Sequence, residues 1–116
     1  MNLLVVDDFV EIRQMLTSMF SGMFDKTYEA DDGNLAVELY KKYNPDWVLM
    51  DIKMDVMDGI TATKLIKEFD QNAKVIIVTL YKDEETNTEA KKAGAFGLVS
   101  KDDLSKIGDM IFESIL

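Results

Sequence analysis

Asp46-Trp47-Val48-Leu49-Met50-Asp51 sets four apolar residues in succession and closes them with a carboxylate. A strand with one wet face alternates apolar and polar residues, whereas an unbroken apolar run this short reads as a parallel strand covered by helices on both faces. The carboxylate at its end must then be hydrated, paired or metal-bound. The same pattern opens the chain, where Leu3-Leu4-Val5-Val6 runs into Asp7-Asp8. Two apolar strands that both end in acid are the frame for the rest.

Between these strands, Ile12, Met15, Leu16, Met19, Phe20 and Met23 recur at three- and four-residue spacing. They predict a helix from Phe9 to about Phe24 with one buried face, its methionines acting as core filler. A brief strand follows at Thr27 to Ala30. Asp32 then caps a helix carrying Leu35, Ala36, Leu39 and Tyr40, closed by Pro45. Beyond Asp51 the reading is a loop over 52–59, a helix over 60–69, a strand over 74–79, a polar helix over 83–93, a strand over 96–100 and an amphipathic helix over 103–116. Five strands alternating with five helices imply crossover connections and a doubly wound parallel sheet between helix layers, an α/β fold.

The 116 residues suit one domain, 1–116, and contain no repeat or linker that marks a second. With no Cys and no His, thiolate and imidazole chemistry are excluded, so any bound metal sits on oxygen. A net charge of -9 disfavours direct nucleic acid binding and acidic membrane surfaces. No apolar run approaches the ~20 residues of a bilayer span, and no basic leader precedes the first strand. We expect a cytoplasmic protein without an attached effector domain.

In an open α/β sheet the ligand site lies beyond the carboxyl ends of the strands. Those ends carry Asp7-Asp8, Asp51, Thr79 and, just past the last strand, Lys101. Clustered carboxylates raise one another's pKa unless a cation neutralises them. Mg2+ suits such oxygen donors, and Asp8 and Asp51 fit as ligands. With its charge screened by metal and Lys101, Asp51 becomes a carboxylate nucleophile toward phosphorus, and Thr79 and Lys101 are donors for the incoming phosphoryl oxygens. Each residue also has a plainer reading taken alone. Acids favour helix starts, Thr favours strands, and Lys is commonly exposed.

Asp7-Asp8, "MDIKMDVMDG" from Met50, "VIIVTLY" from Val75 and "GAFGLVSKD" from Gly94 together resemble the signature stretches of response-regulator receiver domains. The resemblance spans nearly the whole chain. It implies a flavodoxin-like sheet of order 2-1-3-4-5, Asp51 as phosphoacceptor, Asp8 as direct Mg2+ ligand and Asp7 as a water-mediated one. It further implies the Lys53 carbonyl as a ligand, Thr79 and Lys101 as a switch pair, and no enzyme activity beyond self-phosphorylation and dephosphorylation. The implied partners are a histidine kinase or phosphotransfer protein and a downstream target on the 83–116 surface, with the chain a monomer or a phosphorylation-dependent homodimer. "TLYKDEE" and "LVSKD" look closer to receivers of LuxR-type regulators than to the chemotaxis branch.

The chain departs from the family pattern at several positions. Asp55 stands where the family usually has Pro, and Asp102, after Lys101, replaces another frequent Pro, so an ordinary trans bond is expected there. Leu98 occupies the aromatic switch position, which excludes a ring-rotation switch. Phe96, two residues away on the same strand face, is expected in the core. Leu80, next to Thr79, is bulkier than usual. Competing readings fit less well. An aspartyl-phosphate phosphatase needs a second carboxylate two residues after its nucleophile, where this chain has Lys53 after Asp51 and Val10 after Asp8. A flavodoxin-like flavin module needs a phosphate-binding loop after the first strand, where "DDFVE" has the opposite charge. An EF-hand fails because Lys53 holds a ligand position.

Overall fold

The computed structural model describes residues 1–80 and 83–116. In chain order the elements are β1 Asn2–Val6, α1 Val10–Phe20, β2 Lys26–Ala30, α2 Gly33–Tyr43, β3 Trp47–Met50, α3 Gly59–Phe69, β4 Val75–Thr79, α4 Glu84–Ala93, β5 Gly97–Ser100 and α5 Ser105–Ile115. All strand pairings are parallel, in the order β2-β1-β3-β4-β5. The doubly wound sheet read from the sequence is therefore present, with its expected order.

Alternation of side chains divides each apolar strand between two cores. Leu4, Val6, Val48, Met50, Val75 and Ile77 pack against the layer of α2, α3 and α4. Leu3, Val5, Trp47, Leu49, Ile76 and Val78 pack with Leu16 and Phe20 of α1 and Ile107 and Ile111 of α5. Because neither face of these runs in β1, β3 and β4 meets water, they show no polar alternation, and each large side chain so buried contributes ~1.5–3 kcal/mol. Three aspartates start the helices of the first layer. Asp32, Asp58 and Asp83 accept hydrogen bonds from the backbone N–H of Leu35, Thr61 and Thr86 at 2.8, 2.8 and 2.7 Å, caps worth ~1 kcal/mol each.

Three expectations need correction. The first helix ends at Phe20, not Phe24. Ser21-Gly22 turns the chain, and Phe24 folds back into the α1/α5 core. Met15, Met19 and Met23 are exposed and not core filler, because the adjacent ridge of Leu16 and Phe20 is the one that faces the sheet. Phe96 precedes β5 and is half exposed. Its N–H is donated to the Val75 carbonyl, and its ring stands edge-on to Trp47 at 4.9 Å, while Leu98 packs with the opposite layer. The two therefore do not share a face. In the stretch 79–85, Tyr81 and Lys82 lie outside the described residues.

The loop between β3 and α3 carries a local strain. Val56 has φ 70°, a left-handed conformation that β-branched residues rarely adopt, and its side chain is 84% exposed. The strained backbone costs roughly 1–2 kcal/mol and no packing offsets it. Val56→Asn should therefore stabilise the protein by about 1 kcal/mol, raising Tm by roughly 4 °C or more. An unchanged or lower melting temperature would remove this assignment.

Candidate functional site

The carboxyl ends of β1, β3, β4 and the start of the β5–α5 connection meet at one edge of the sheet, and backbone pairing fixes their relative heights. Asp51 N–H donates to the Val6 carbonyl at 2.9 Å, Asp7 N–H to Ala30 at 3.2 Å, and Lys101 N–H to Thr79 at 2.9 Å. Asp7, Asp51 and Thr79 are buried polar residues, and Asp8 beside them is exposed. Among the described residues, Asp7, Asp8 and Asp51 form a group whose candidate ligand oxygens all lie within 4.8 Å of one another. The carboxylates expected to converge do so.

Lys101 reaches across this group. Its Nζ lies 3.0 Å from Asp7 Oδ2 and 3.1 Å from Asp51 Oδ1. Burial opposes its charge, but the hydrogen bonds to Asp7 and Asp51 outweigh that and hold the ammonium above its ordinary pKa. One ammonium cannot balance three carboxylates. Asp51 accordingly sits at about 6, raised first by burial and then by the charge of Asp7, against the opposing pull of Lys101.

Each oxygen of Asp7 has a partner. Oδ1 accepts from Phe9 N–H at 2.9 Å, Oδ2 meets Lys101, and its carbonyl accepts from Arg13 Nη1 at 2.8 Å. Sequence reasoning passed over Arg13. The signal available was that it is the single arginine of the chain and lies just after the aspartate pair.

A groove of about 120 Å3 opens over Asp51, lined by Phe9, Lys53, Thr79, Leu80 and Lys101. Lys53 also borders a wider hollow of about 410 Å3 with Asp8, Met54, Asp55 and Asp58. Thus Asp51, Thr79, Lys53 and Lys101 line one groove, and Asp8 opens into the space beside it. A larger hollow between α3 and α4, about 490 Å3 and lined by Lys64, Lys67 and Lys92 among others, contains none of the strand-end groups. Close packing holds the loop. Gly59 lies against the Asp51 carbonyl and Gly33 against the Met57 carbonyl, each too near for a side chain.

A donor set of three carboxylates without sulfur or imidazole suits a hard divalent cation. The elevated pKa of Asp51 is the sign of charge that such a cation would neutralise. No described peptide bond is cis, and no described helix is long and apolar enough to cross a membrane.

Comparison with known proteins identifies the family. The family described as "Response regulator receiver domain" matches residues 3–112. The chemotaxis protein CheY of Halobacterium salinarum is 46% identical over 98 residues, covering 84% of this chain and 82% of that protein. Sporulation initiation phosphotransferase F of Bacillus subtilis is 36% identical over 110 residues, covering 94% and 89%. In the crystal structure of the CheX-CheY-BeF3-Mg+2 complex from Borrelia burgdorferi, the similar chain superposes with a TM-score of 0.88 at 34% identity, over 99% of this chain and 89% of that one. A LuxR-family regulator from Staphylococcus aureus gives 27% identity. Over the whole chain, chemotaxis proteins and LuxR-family regulators are both similar to it. The chain belongs to the response regulator receiver domains, the phosphorylation-activated switches of two-component signalling.

Proposed function

We propose that residues 1–116 form one receiver domain that accepts a phosphoryl group on Asp51 with Mg2+ bound. The observation that carries the reading is the Lys101 ammonium, 3.0 Å from Asp7 and 3.1 Å from Asp51, beside a third carboxylate. Asp8, exposed, and Asp51 would hold the ion directly. Asp7, with both its oxygens engaged, would act through water, and the Lys53 carbonyl would complete the protein ligands. The similar Borrelia complex bears Mg2+ and BeF3 by its name, and this donor set suits the same kind of occupant. When bound, Mg2+ supplies charge neutralisation at the carboxylates and the phosphoryl oxygens.

The chain's own residues do the rest. Asp51 Oδ forms the new bond to phosphorus as the bond to nitrogen in a partner's phosphohistidine breaks, and the imidazole leaves. Lys101 Nζ screens the two anions that would otherwise repel, and Thr79 offers a hydroxyl to the transferred oxygens. Drawing Thr79 and Lys101 toward the new group biases a two-state equilibrium read on the 83–116 surface by a downstream protein. In this reading the domain works in the cytoplasm, as a monomer or a phosphorylation-dependent homodimer, and catalyses only its own phosphorylation and dephosphorylation.

Acetyl phosphate tests the assignment. With Mg2+, intact mass should show one added phosphoryl group on the wild type and none on Asp51→Asn. Incorporation that persists in the variant would overturn it. Leu80 is 61% exposed at the groove mouth with Phe9 and narrows the approach of water to Asp51. Leu80→Ala should therefore shorten the phosphoryl lifetime several-fold, read by decay of the phosphorylated mass, and an unchanged lifetime would count against a shielding role.

A further inference from the structure

We infer that Arg13 is a positioning residue for the cation site, acting through the backbone of Asp7. The inference rests on the reading that the three carboxylates hold Mg2+. The Asp7-Asp8 turn leads into α1, which begins at Val10 and whose N-cap Phe9 supplies no side-chain cap. From the helix start, Phe9 N–H donates to Asp7 Oδ1 at 2.9 Å and Arg13 N–H to the Phe9 carbonyl at 3.1 Å.

The Arg13 side chain adds a fixture from the sheet. Nη1 donates to the Asp7 carbonyl at 2.8 Å, and Nε donates to Glu29 Oε1 at 3.2 Å. The guanidinium side chain is only 17% exposed. Glu29 lies on β2, opposite Val5 of β1 in the sheet register. The planar guanidinium thus spans from a rigid strand to the turn, using two donors in a fixed fork. Asp7 N–H is meanwhile donated to Ala30, the residue after Glu29. Both backbone hydrogen-bonding groups of Asp7 are therefore referred to β2, one directly and one through Arg13. Its carboxylate, held at Oδ1 by the Phe9 N–H, meets Lys101 through Oδ2, while Asp8, next in the chain, stands beside Asp51.

Charge and position predict opposite results. If Arg13 mattered only as a cation near an acidic cluster, its removal would make the site more negative and tighten a dication. If it positions the turn, its removal loosens the site, as loss of outer supports around metal ligands commonly weakens binding by about tenfold or more.

Mg2+ binding to the full chain, measured by calorimetry well below the melting temperature, tests this. Arg13→Ala should weaken Mg2+ by about tenfold, and Arg13→Lys, which keeps the charge but not the fork, should be intermediate. Glu29→Gln should weaken it by a smaller factor on its own and add little in the Arg13→Ala background, since both act through one link. Circular dichroism at the same temperature establishes that each variant is folded, and Arg13→Lys carries the test if Arg13→Ala is not. A dissociation constant within about twofold of the wild type in a folded variant, or a tighter one, would overturn the inference while leaving the metal reading intact. A wild type that binds no Mg2+ overturns both.

Discussion

Gly59→Ala is expected to lower the melting temperature by roughly 10 °C or more, the loss of more than about 3 kcal/mol. A Cβ at this position would lie 1.8 Å from the Asp51 carbonyl oxygen, 2.8 Å from its carbonyl carbon and 2.9 Å from Met50 Cγ. The nearest atom is backbone and cannot swing aside. Nor can α3 retreat easily, since Gly59 N–H donates to the Ile52 carbonyl at 2.8 Å, Thr63 Oγ1 donates to the Gly59 carbonyl at 2.7 Å, and Asp58 caps the helix. The displaced backbone belongs to the proposed phosphoacceptor, so any folded fraction should also take up phosphate more slowly. Gly22→Ala is the control, because nothing lies within 4 Å of the added atom there. Thermal melts of the two variants decide the matter, and a Gly59→Ala curve close to that of Gly22→Ala would refute the close approach.

The second large effect concerns pH. In the folded, metal-free protein the Asp51 carboxyl sits at about 6 against an ordinary value of 3.8. The folded chain therefore holds a proton that the unfolded chain has released over this interval. Stability contributed by the protonated form is complete below about pH 4 and is lost as pH rises through about 6. Asp51→Asn never ionises and escapes that loss. It should be more stable than the wild type at pH 7.5 by on the order of 1–2 kcal/mol, once solvent screening in the open groove is counted. At pH 5 the gain should be smaller. Millimolar Mg2+ should shrink it at pH 7.5, because the wild type gains a ligand that the amide holds poorly. Urea titrations at the two pH values, with and without Mg2+, give the comparison. A gain that grows on acidification would contradict a raised Asp51 pKa.

The inner strands β1 and β3 were legible because burial on both faces leaves no polar residue within Leu3 to Val6 or Trp47 to Met50. The acids at their ends were legible because an apolar run ending in Asp has few outlets. What a single sequence could not resolve was orientation within an element. Met15, Met19 and Met23 have the same four-residue spacing as Leu16 and Phe20, one position away, and only contact with the sheet and α5 selects the inner ridge. Phe96 failed for a related reason. Its pairing with β4 begins before β5 does, and its ring follows Trp47 instead of the strand's alternation. Arg13 was invisible to motif reasoning because its work is done on a main-chain carbonyl, which carries no residue identity. The left-handed Val56 contradicts the local preference of its own side chain and could only be found in three dimensions.

Trp47 is the sole tryptophan, fully buried, with the Lys74 ammonium 4.7 Å over its ring and Phe96 at its edge. It begins the strand that Asp51 follows, so about 13 Å of extended chain separates the indole from the acidic edge. Intrinsic fluorescence should consequently follow denaturation faithfully while staying nearly silent to events at the carboxylates. A spectral change on phosphoryl transfer would thus carry particular meaning, because it would place a rearrangement at the opposite pole of the sheet.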